Sequence, residues 1–277
     1  MKPTVAVVNT DSLPQAIETI GGLNGLNAPN RKVVVKVGIY NTKTGICSTI
    51  KTLNAIITAF NQASEILIVE SDSGAGPGLK RLEVWKDCYN NRATPFNLST
   101  DEYTQLVDVA GEQIPFAKTL LDPKTFISTH VPRRYEEAGL EDLMNQGFVI
   151  KNLLGLVLDT KKHRFHDKLA TALIDMYEAA GGIDLAVLDA THVFLGWKKK
   201  RITVSPDRLI VGKDAFAVEA VGMHLLGFNP TEMPVLQEAQ ARGLGEINID
   251  QINVVGDIEG PKQLISQAFN KLVPKLV

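Results

Sequence analysis

The sequence has 277 residues, of which 44% are hydrophobic and 22% charged, and its formal net charge is −2 at pH 7. This balance is typical of a soluble globular protein and argues against a dedicated nucleic-acid-binding protein, which would carry a large basic excess. The only two cysteines, Cys47 and Cys88, lie far apart, so this chain alone cannot supply an iron–sulfur cluster or a cysteine-rich zinc site. Because no stretch reaches the roughly 18 apolar residues of a membrane helix and the N-terminus lacks a signal-peptide core, we predict a cytoplasmic protein without a membrane partner.

Valine-rich runs in the N-terminal part predict buried strands at Thr4–Val8, Lys32–Tyr40 and Ile66–Ser71. Apolar residues at helical spacing predict a helix over Ser48–Gln62, between the second and third of these strands. A strand, a helix and a strand in this order indicate a right-handed crossover between parallel strands. The N-terminal part therefore predicts an α/β fold.

A glycine-rich segment, SDSGAGPG at residues 71–78, follows the third predicted strand. Glycines at the carboxyl end of a parallel strand let backbone N–H groups approach a ligand, and the N-terminus of the next helix favours an anion. Gly74 and Gly76 are therefore candidate ligand-binding residues. The spacing matches neither the dinucleotide fingerprint nor a P-loop, and a plain flexible loop is the alternative.

The stretch 149–167, VIKNLLGLVLDTKKHRFHD, joins an apolar run to a basic cluster. Lys151 and Asn152 are embedded in the apolar run, where neither side chain belongs without a partner. Arg164 and His166 lie in the basic cluster, which suits an anionic ligand. All four are candidate site residues. The alternative is a strand followed by a solvated basic loop.

The later part of the chain continues the alternation of strands and helices. The predicted elements are strands at Tyr103–Ala110, Lys124–Thr129, Asp184–Ala190, Ile202–Val204, Leu209–Val211 and Ile252–Gly256, an amphipathic segment after Pro132, and helices at Asp167–Ala180, 215–227, Pro230–Arg242 and from Pro261. Asp189 lies at the carboxyl end of its strand, the edge where ligands bind in an open α/β sheet. Asp214 precedes a helix that it could simply cap, and Glu219 is a carboxylate inside that apolar helix. We predict one α/β domain over residues 1–277, with a mostly parallel sheet and helices on both faces.

Seven separated stretches follow one another in a recognisable order. They are GGLNGLNAPNRKVVVKV, ILIVESDSGAG, VIKNLLGL, RFHDKL, LAVLDAT, LIVGKDAFAVEAVGMHLLGF and GLGEINIDQINVVG. Together they resemble the motifs of the family catalogued as domain of unknown function 362, and VIKNLLGL resembles its Lys-Asn-x-x-Gly signature. The resemblance covers nearly the whole chain. It strengthens the prediction of the fold more than that of the function, because the biochemical activity of the family is poorly defined.

The resemblance also implies site positions. They fall in this sequence on Lys36, Lys151, Asn152, His166, Asp189, Asp214 and Glu219. The sequence departs from the family pattern in its loops: Lys36-Val37-Gly38 replaces Lys-Pro-Asn, and the segment from His192 replaces a Gly-Pro loop. His130 begins an altered form of the Lys-x-His region. Many relatives carry a ferredoxin-like cysteine cluster, and its absence here argues against a cluster-dependent redox role.

We interpret the chain as an enzyme that acts on a small anionic metabolite, a carboxylate or a phosphate, by acid/base chemistry. The predicted catalytic residues are His166, Asp189 and Lys151, and the predicted ligand-binding residues are Lys36, Asn152, Arg164, Asp214, Glu219, Gly74 and Gly76. In this hypothesis the lysines and Arg164 bind the anion, His166 transfers a proton, and a carboxylate orients the histidine. We expect Lys151, Asn152, His166 and Asp189 to converge in one pocket.

The alternative function is a non-catalytic ligand-binding or assembly protein with an eroded site, which the altered loops favour. The histidines and carboxylates are also the atom types that a divalent cation prefers, but no H-x-x-x-H or H-E-x-x-H spacing is present, so we assign no metal. The sequence does not identify the cofactor, the substrate or the reaction, and it leaves a homodimer open.

Overall fold

A computed structural model describes residues 2–135, 147–196 and 201–272. The strands, numbered in chain order, are Thr4–Asn9 (β1), Lys32–Val37 (β2), Glu65–Glu70 (β3), Ala93–Asn97 (β4), Tyr103–Val109 (β5), Glu112–Ala117 (β6), Thr125–His130 (β7), Arg133–Arg134 (β8), Leu185–Ala190 (β9), Val193–Leu195 (β10), Ile202–Val204 (β11), Arg208–Gly212 (β12) and Asn253–Val255 (β13). The α-helices are Leu13–Thr19 (α1), Ile50–Ala59 (α2), Gly78–Leu82 (α3), Lys118–Leu121 (α4), Leu169–Ala179 (α5), Ala215–Leu225 (α6), Pro234–Ala241 (α7) and Glu259–Leu272 (α8).

Eight of these strands form one sheet in the order β13-β1-β12-β9-β7-β2-β3-β4. The five strands from β9 to β4 pair in parallel, and β1 pairs in parallel with β13. Strand β12 runs antiparallel to both of its neighbours, β1 and β9. The predicted mostly parallel sheet is therefore confirmed, with one reversed strand inside it.

The alternation of side chains along the strands divides the core into two layers. Val33 and Val35 of β2 pack with α1 and α2, whereas Val34 of the same strand packs with α5 and α6. Successive strand residues point to opposite faces, so these two layers lie on opposite sides of the sheet. We call them the α2 face and the α6 face. Helices on both faces, as the sequence predicts, explain why the central strands are valine-rich throughout.

The central stretch differs from the strand that its apolar run suggests. Two short 3-10 helices, Lys151–Leu156 and Lys162–Lys168, lead into α5. The apolar side chains of the first, together with Val149 and Ile150 before it, are buried on the α6 face. Burial on that face explains the apolar run, which by itself does not distinguish a buried strand from a buried helical segment.

Strands β5 and β6 form a hairpin, of which the sequence predicts only the first strand. Its turn residues, Ala110 and Gly111, both have positive φ, of 53° and 81°. Such turns usually contain Asn-Gly or Asp-Gly, so the Ala-Gly pair gave no turn signal. The amphipathic segment predicted after Pro132 lies for the most part at 136–146, outside the described residues. Within the described part of the chain, no helix is long and apolar enough to cross a membrane.

Candidate functional site

A buried lysine lies at the carboxyl ends of the parallel strands. Lys36 is the penultimate residue of β2, and its Nζ lies 2.6 Å from Oε1 of Glu70, the last residue of β3. The same Nζ donates hydrogen bonds to Oδ1 of Asn152 at 3.0 Å and to the carbonyl oxygen of Val37 at 2.8 Å. An ammonium group has three protons, and protein acceptors take all of them. Lys36 is completely buried and fully paired.

Asn152 and Arg81 complete this arrangement. The Asn152 amide donates to the backbone oxygen of Lys36 at 2.9 Å and to Oγ of Ser128 at 3.1 Å, which ties the first 3-10 helix to strands β2 and β7. Arg81 Nη2 lies 3.2 Å from Oε2 of Glu70. Burial alone would raise the pKa of Glu70, but the charges of Lys36 and Arg81 outweigh it and lower that pKa. We call Lys36, Glu70, Arg81 and Asn152 the Lys36 network.

Gly155 is the glycine of the Lys-Asn-x-x-Gly signature, and the position of the Lys36 side chain explains why a glycine is needed there. A Cβ at position 155 would lie 2.5 Å from Cε and 2.6 Å from Nζ of Lys36. Neither atom has room to retreat, because the ammonium group is held by three acceptors. The 3-10 helix can therefore pass over the lysine only with a glycine at this position.

Lys162 joins the network from the basic cluster of the central stretch. Its Nζ donates to Oγ of Ser71 and, at 2.6 Å, to the carbonyl oxygen of Val157. Burial, with further contributions from the nearby Lys36 and Arg81, lowers the pKa of Lys162 to about 7. These contacts hold the start of the second 3-10 helix against the end of β3.

A second group of titratable side chains lies at the end of β7. His130 is the last residue of that strand and is buried, and Arg133 follows in β8, which pairs in parallel with β10. Neither Nδ1 of His130 nor Nε of Arg133, both buried atoms, has a hydrogen-bond partner among the described residues. The imidazole lies directly over Gly38, where a Cβ would be 2.5 Å from Nδ1. Gly38 thus makes room for the ring.

Lys151 and Glu219 lie beside these residues. Glu219 is completely buried in α6, and its carboxylate accepts hydrogen bonds from the N–H groups of Phe148 at 2.5 Å and Ile150 at 2.9 Å. Burial raises the pKa of Glu219 to about 7, although these hydrogen bonds and Arg133 oppose the rise. Burial and the charge of Arg133 lower the pKa of Lys151 well below its ordinary value, and Glu219 offsets only part of the effect.

His166 adds a more exposed group. Partial burial and the nearby Lys151 lower its pKa. Burial, followed by the charges of Arg133, Lys36 and Lys151, lowers the pKa of His130 well below 6.5. The charges of Arg133, Lys36 and Lys151 therefore all act on His130. We call His130, Arg133, Lys151, His166 and Glu219 the His130 cluster.

A family model described as "Domain of unknown function (DUF362)" matches residues 33–224, more than half of the chain. The match includes the Lys36 network and the whole His130 cluster. The chain belongs to the DUF362 family. No curated protein and no solved structure matches it.

The DUF362 chain does not bring Asp189 into the cluster. Asp189 points to the same face of the sheet as Leu185 and Val187, which pack on the α2 face. Lys36 points to the same face as Val34, which packs on the α6 face. Its carboxylate accepts hydrogen bonds from the N–H of Thr49 at 2.7 Å and from that of Thr191 at 3.0 Å. The expected convergence of Lys151 and Asp189 in one pocket is wrong, because the two side chains lie on opposite faces of the sheet.

Arg164 and Asp214 are also engaged elsewhere. Arg164 pairs with Asp159 at 2.9 Å and with Glu112 at 2.7 Å, close to the protein surface. Asp214 caps α6: its Oδ1 accepts from the N–H groups of Phe216 and Ala217, each at 3.0 Å. The capping interpretation of Asp214 accounts for its observed contacts.

The glycine-rich loop of this DUF362 chain has internal partners for several of its N–H groups. Gly76 donates to the carbonyl oxygen of Ser73 at 2.9 Å, and Ala75 donates to Oγ of Ser73 at 3.2 Å. Oδ1 of Asp72 accepts from the N–H of Gly78, at the start of α3, at 2.8 Å. The carboxylate of Asp72 therefore occupies the place of the anion expected there. The ligand-binding roles of Gly74 and Gly76 stay predictions.

A cavity of about 310 Å³ opens at the opposite, amino edge of the sheet, with Arg31, Lys124 and Asp184 in its lining. It contains none of the predicted site residues. We favour the carboxyl edge because it holds the unpaired buried nitrogens. Among the described residues, no group of three or more His, Cys, Asp or Glu side chains could hold a metal ion. The two cysteines of the sequence do not provide the four thiolates of an iron–sulfur cluster.

Sequence reasoning did not assign site roles to His130, Arg133, Glu70, Arg81 and Lys162. Two of these residues gave a usable signal. Glu70 and His130 are polar final residues of buried strands, the same signal that selected Asp189. Arg81, Arg133 and Lys162 lie in polar surroundings in the sequence, and only the tertiary structure shows that they turn inward.

Proposed function

We propose that this DUF362 chain is an enzyme that binds a small anionic metabolite, a carboxylate or a phosphate, at the His130 cluster and acts on it by acid/base chemistry. Three buried side-chain nitrogens of the described residues have no hydrogen-bond partner, and two of them, His130 Nδ1 and Arg133 Nε, belong to this cluster, which is the observation that supports the proposal. The third, Arg81 Nε, belongs to a guanidinium whose other nitrogens bond to Glu70, Ser71 and Ile39. Leaving a buried polar group unpaired costs about 1–3 kcal/mol. A ligand oxygen would remove that cost, and the surrounding cations favour an anion there.

The two histidines suit different steps of a proton transfer. The lowered pKa of His130 makes its imidazole neutral near pH 7, so that it can accept a proton from a bound substrate. A bound anion would offset the charge of Arg133 and raise this pKa, which strengthens the base when substrate is present. His166 is exposed and can exchange protons with water. We assign proton abstraction to His130 and exchange with solvent to His166.

The anion-binding part of the proposal is tested by calorimetric titration with phosphate, malonate and succinate. Arg133→Gln removes the guanidinium and should weaken binding by about ten- to a hundredfold, the value of one charge-assisted hydrogen bond. Arg164→Gln is the matched control, because that guanidinium pairs with Asp159 and Glu112. Equal affinity of wild type and Arg133→Gln would contradict the assignment.

The catalytic part is tested by proton exchange. Wild-type protein is incubated in D2O with malonate, succinate or oxaloacetate, the 2-oxo counterpart of succinate, and proton NMR follows deuterium incorporation beside the carboxyl or carbonyl carbon relative to a sample without protein. Exchange that His130→Gln abolishes without loss of binding supports the enzyme. Binding without exchange supports the alternative, a non-catalytic ligand-binding protein. That alternative is favoured by one observation, the complete pairing of Lys36, which leaves its ammonium no proton for a ligand.

We also propose a cytoplasmic location, whereas the sequence leaves a homodimer open. The first is checked by fractionation of cells that produce the tagged chain. The second is checked by light scattering of the purified protein.

A further inference from the structure

The cavity of about 310 Å³ at the amino edge of the sheet carries charges of both signs on its wall. Arg31, Lys124 and Asp184 line it, and they directly precede β2, β7 and β9. These three strands are neighbours and run parallel, so the residues before them meet at one edge. The volume is sufficient for a small metabolite, and the polar groups on the wall determine which kind.

Arg31 supplies the cationic side of the cavity. Its Nε donates a hydrogen bond to Oγ1 of Thr125 at 3.2 Å, and that hydroxyl donates to the carbonyl oxygen of Leu26 at 2.8 Å. The guanidinium is thereby held in place, while neither of its Nη atoms has a hydrogen-bond or ion-pair partner among the described residues. A guanidinium can donate two parallel N–H bonds to the two oxygens of a carboxylate. Arg31 is therefore available to bind a carboxylate.

Lys124, the other cation of the lining, is mostly engaged with the protein itself. Its ammonium group donates to the carbonyl oxygens of Leu120 at 2.5 Å and Ala180 at 2.9 Å, at the C-terminal ends of α4 and α5. Two of its three protons are therefore taken. The lysine joins the two helix ends and forms part of the wall, which leaves Arg31 as the principal group for an anion.

The acidic side of the cavity also has free acceptors. Oδ2 of Asp184 accepts the N–H of Phe126 at 2.8 Å, which fixes the carboxylate, whereas its Oδ1 has no partner in the described part of the chain. The carboxylate of Asp122 has no hydrogen bond or ion pair to any described residue. Glu178, the third acid of the lining, pairs with Arg242 at 2.6 Å. Asp184 and Asp122 are thus the acids that can bind a cation.

We propose that this cavity binds a small amino acid, with its carboxylate on Arg31 and its ammonium group on Asp184 and Asp122. A simple anion would leave the two carboxylates without a cation, and a simple cation would leave the guanidinium without an acceptor. A ligand with both charges satisfies both sides. The partly exposed Leu121 and Ala179 add apolar surface to the wall. The site lies at the edge of the sheet opposite the His130 cluster and does not depend on the function proposed there.

The first test compares matched ligands by calorimetric titration of the full chain at neutral pH, at millimolar ligand concentrations. The amino acids are L-alanine, L-valine and 4-aminobutyrate. Each has two analogues with a single charge: propionate and ethylamine, isovalerate and isobutylamine, and butyrate and propylamine. We expect at least one amino acid to bind about tenfold or more tightly than both of its analogues, because each analogue lacks one charge-assisted contact. Equal binding of a single-charge analogue, or no binding of any amino acid, would overturn the proposal.

The second test locates the bound amino acid. Arg31→Gln and Asp184→Asn should each weaken binding about tenfold or more, and the asparagine keeps an oxygen that can accept the Phe126 N–H. Arg92→Gln is the matched control: Arg92 directly precedes β4 at the same edge, lies outside the cavity lining and donates to the carbonyl oxygen of Phe60 at 2.9 Å. It should leave the affinity unchanged. If Arg31→Gln does not fold, Asp184→Asn and the single-charge ligands decide.

Arg133→Gln separates this site from the His130 cluster. Because that guanidinium lies at the other edge of the sheet, its loss should leave amino-acid binding unchanged. Weaker binding in Arg133→Gln would assign the ligand to the His130 cluster and overturn the proposal. Unchanged affinity in both Arg31→Gln and Asp184→Asn, or an equal loss in Arg92→Gln, would overturn it as well.

Discussion

Glu70 and Glu219 are both buried glutamates, yet their surroundings differ in kind. Glu70 pairs with Lys36 at 2.6 Å and with Arg81 at 3.2 Å, and these charges lower its pKa. Glu219 accepts hydrogen bonds from backbone N–H groups, and burial raises its pKa to about 7. The first glutamate is therefore held by two cations in direct contact, whereas the second is held by backbone N–H groups.

This difference distinguishes the Lys36 network, which joins parts of the fold, from the His130 cluster, which we propose as the ligand site. In the Lys36 network every proton of the lysine has an acceptor, so the network can join strand ends but offers the ammonium no ligand contact. The His130 cluster leaves two buried nitrogens unpaired, whereas the Lys36 network leaves one, Arg81 Nε, on a guanidinium that is otherwise bonded to Glu70, Ser71 and Ile39. Native proteins rarely leave buried polar atoms unpaired without a functional reason, so we prefer the His130 cluster as the proposed ligand site.

The largest expected effect comes from the loss of Lys36. Lys36→Met leaves Glu70 with Arg81 alone and removes the donor from Asn152 and from the Val37 carbonyl. Breaking a buried ion pair in this way costs about 3–5 kcal/mol. We expect the free energy of unfolding, measured with urea at neutral pH, to fall by that amount.

The matched control spans the same two strands at their other end. Lys32 pairs with Glu65 at 3.2 Å, with 33% and 46% of their side-chain surfaces exposed. An exposed pair contributes about 0–1 kcal/mol, so Lys32→Met should cost little. If both variants lost the same free energy of unfolding, burial of the Lys36–Glu70 pair would contribute nothing, and the prediction would be wrong.

The next effect is the pH dependence that Glu219 confers. Its pKa is about 7 in the folded protein against an ordinary value of 4.5, so the folded state binds the proton more tightly. The contribution of this carboxyl group to the free energy of unfolding is complete below pH 4.5. It is lost as the pH rises through about 7, at about 1.4 kcal/mol per pH unit. The expected total is about 2–4 kcal/mol.

Other groups titrate in the same range, so the measured quantity is a difference. Urea unfolding of wild type and Glu219→Gln, at a series of pH values from acid to neutral, isolates the contribution of this carboxyl group. The wild type should lose stability relative to the glutamine variant as the pH rises. A constant difference across the series would mean that Glu219 titrates normally. Glu70, with its lowered pKa, contributes in the opposite sense and loses its stabilising charge only in acid.

A smaller effect is expected where the backbone makes room for the imidazole of His130. Gly38→Ala adds a methyl group 2.5 Å from Nδ1 of His130, so the ring must move. Such overpacking costs about 1–3 kcal/mol. In a His130→Ala background the same substitution should cost much less. A double-mutant cycle of unfolding free energies measures this coupling. Additive losses would mean that the methyl group at position 38 does not clash with His130.

The sequence was sufficient to predict the main sheet but not the face to which each candidate side chain points. Valine runs and helical spacing identified β2, β3, β9, α2 and α6, because these elements are buried on a regular period. Lys36 and Asp189 both lie near the carboxyl ends of such strands, where the sequence places them, and the structure buries both. The choice between the two faces depends on how strands β2, β7 and β9 pair, which the sequence of a single strand does not contain.

The central stretch was harder for a related reason. Lys151 and Asn152 were selected because polar groups within an apolar run need partners, and Asn152 has them in Lys36 and Ser128. The 3-10 geometry was not predicted. Glu219, 69 residues from Ile150 in the sequence, accepts the N–H group of Ile150 just before the first 3-10 helix, and the local sequence does not reveal this long-range contact. His130 is not among the predicted site residues, although its strand-end position carries the same signal as that of Asp189.

The close passage of Gly155 over Lys36 links two positions that are distant along the chain. With the lysine in place, position 155 is closed to every side chain, since even a methyl group would lie 2.5 Å from its Cε. Shortening the lysine would empty that space and make larger residues acceptable at position 155. An aligned set of DUF362 sequences should therefore show the two positions covarying: glycine wherever the lysine is kept, and other residues only where it has been replaced.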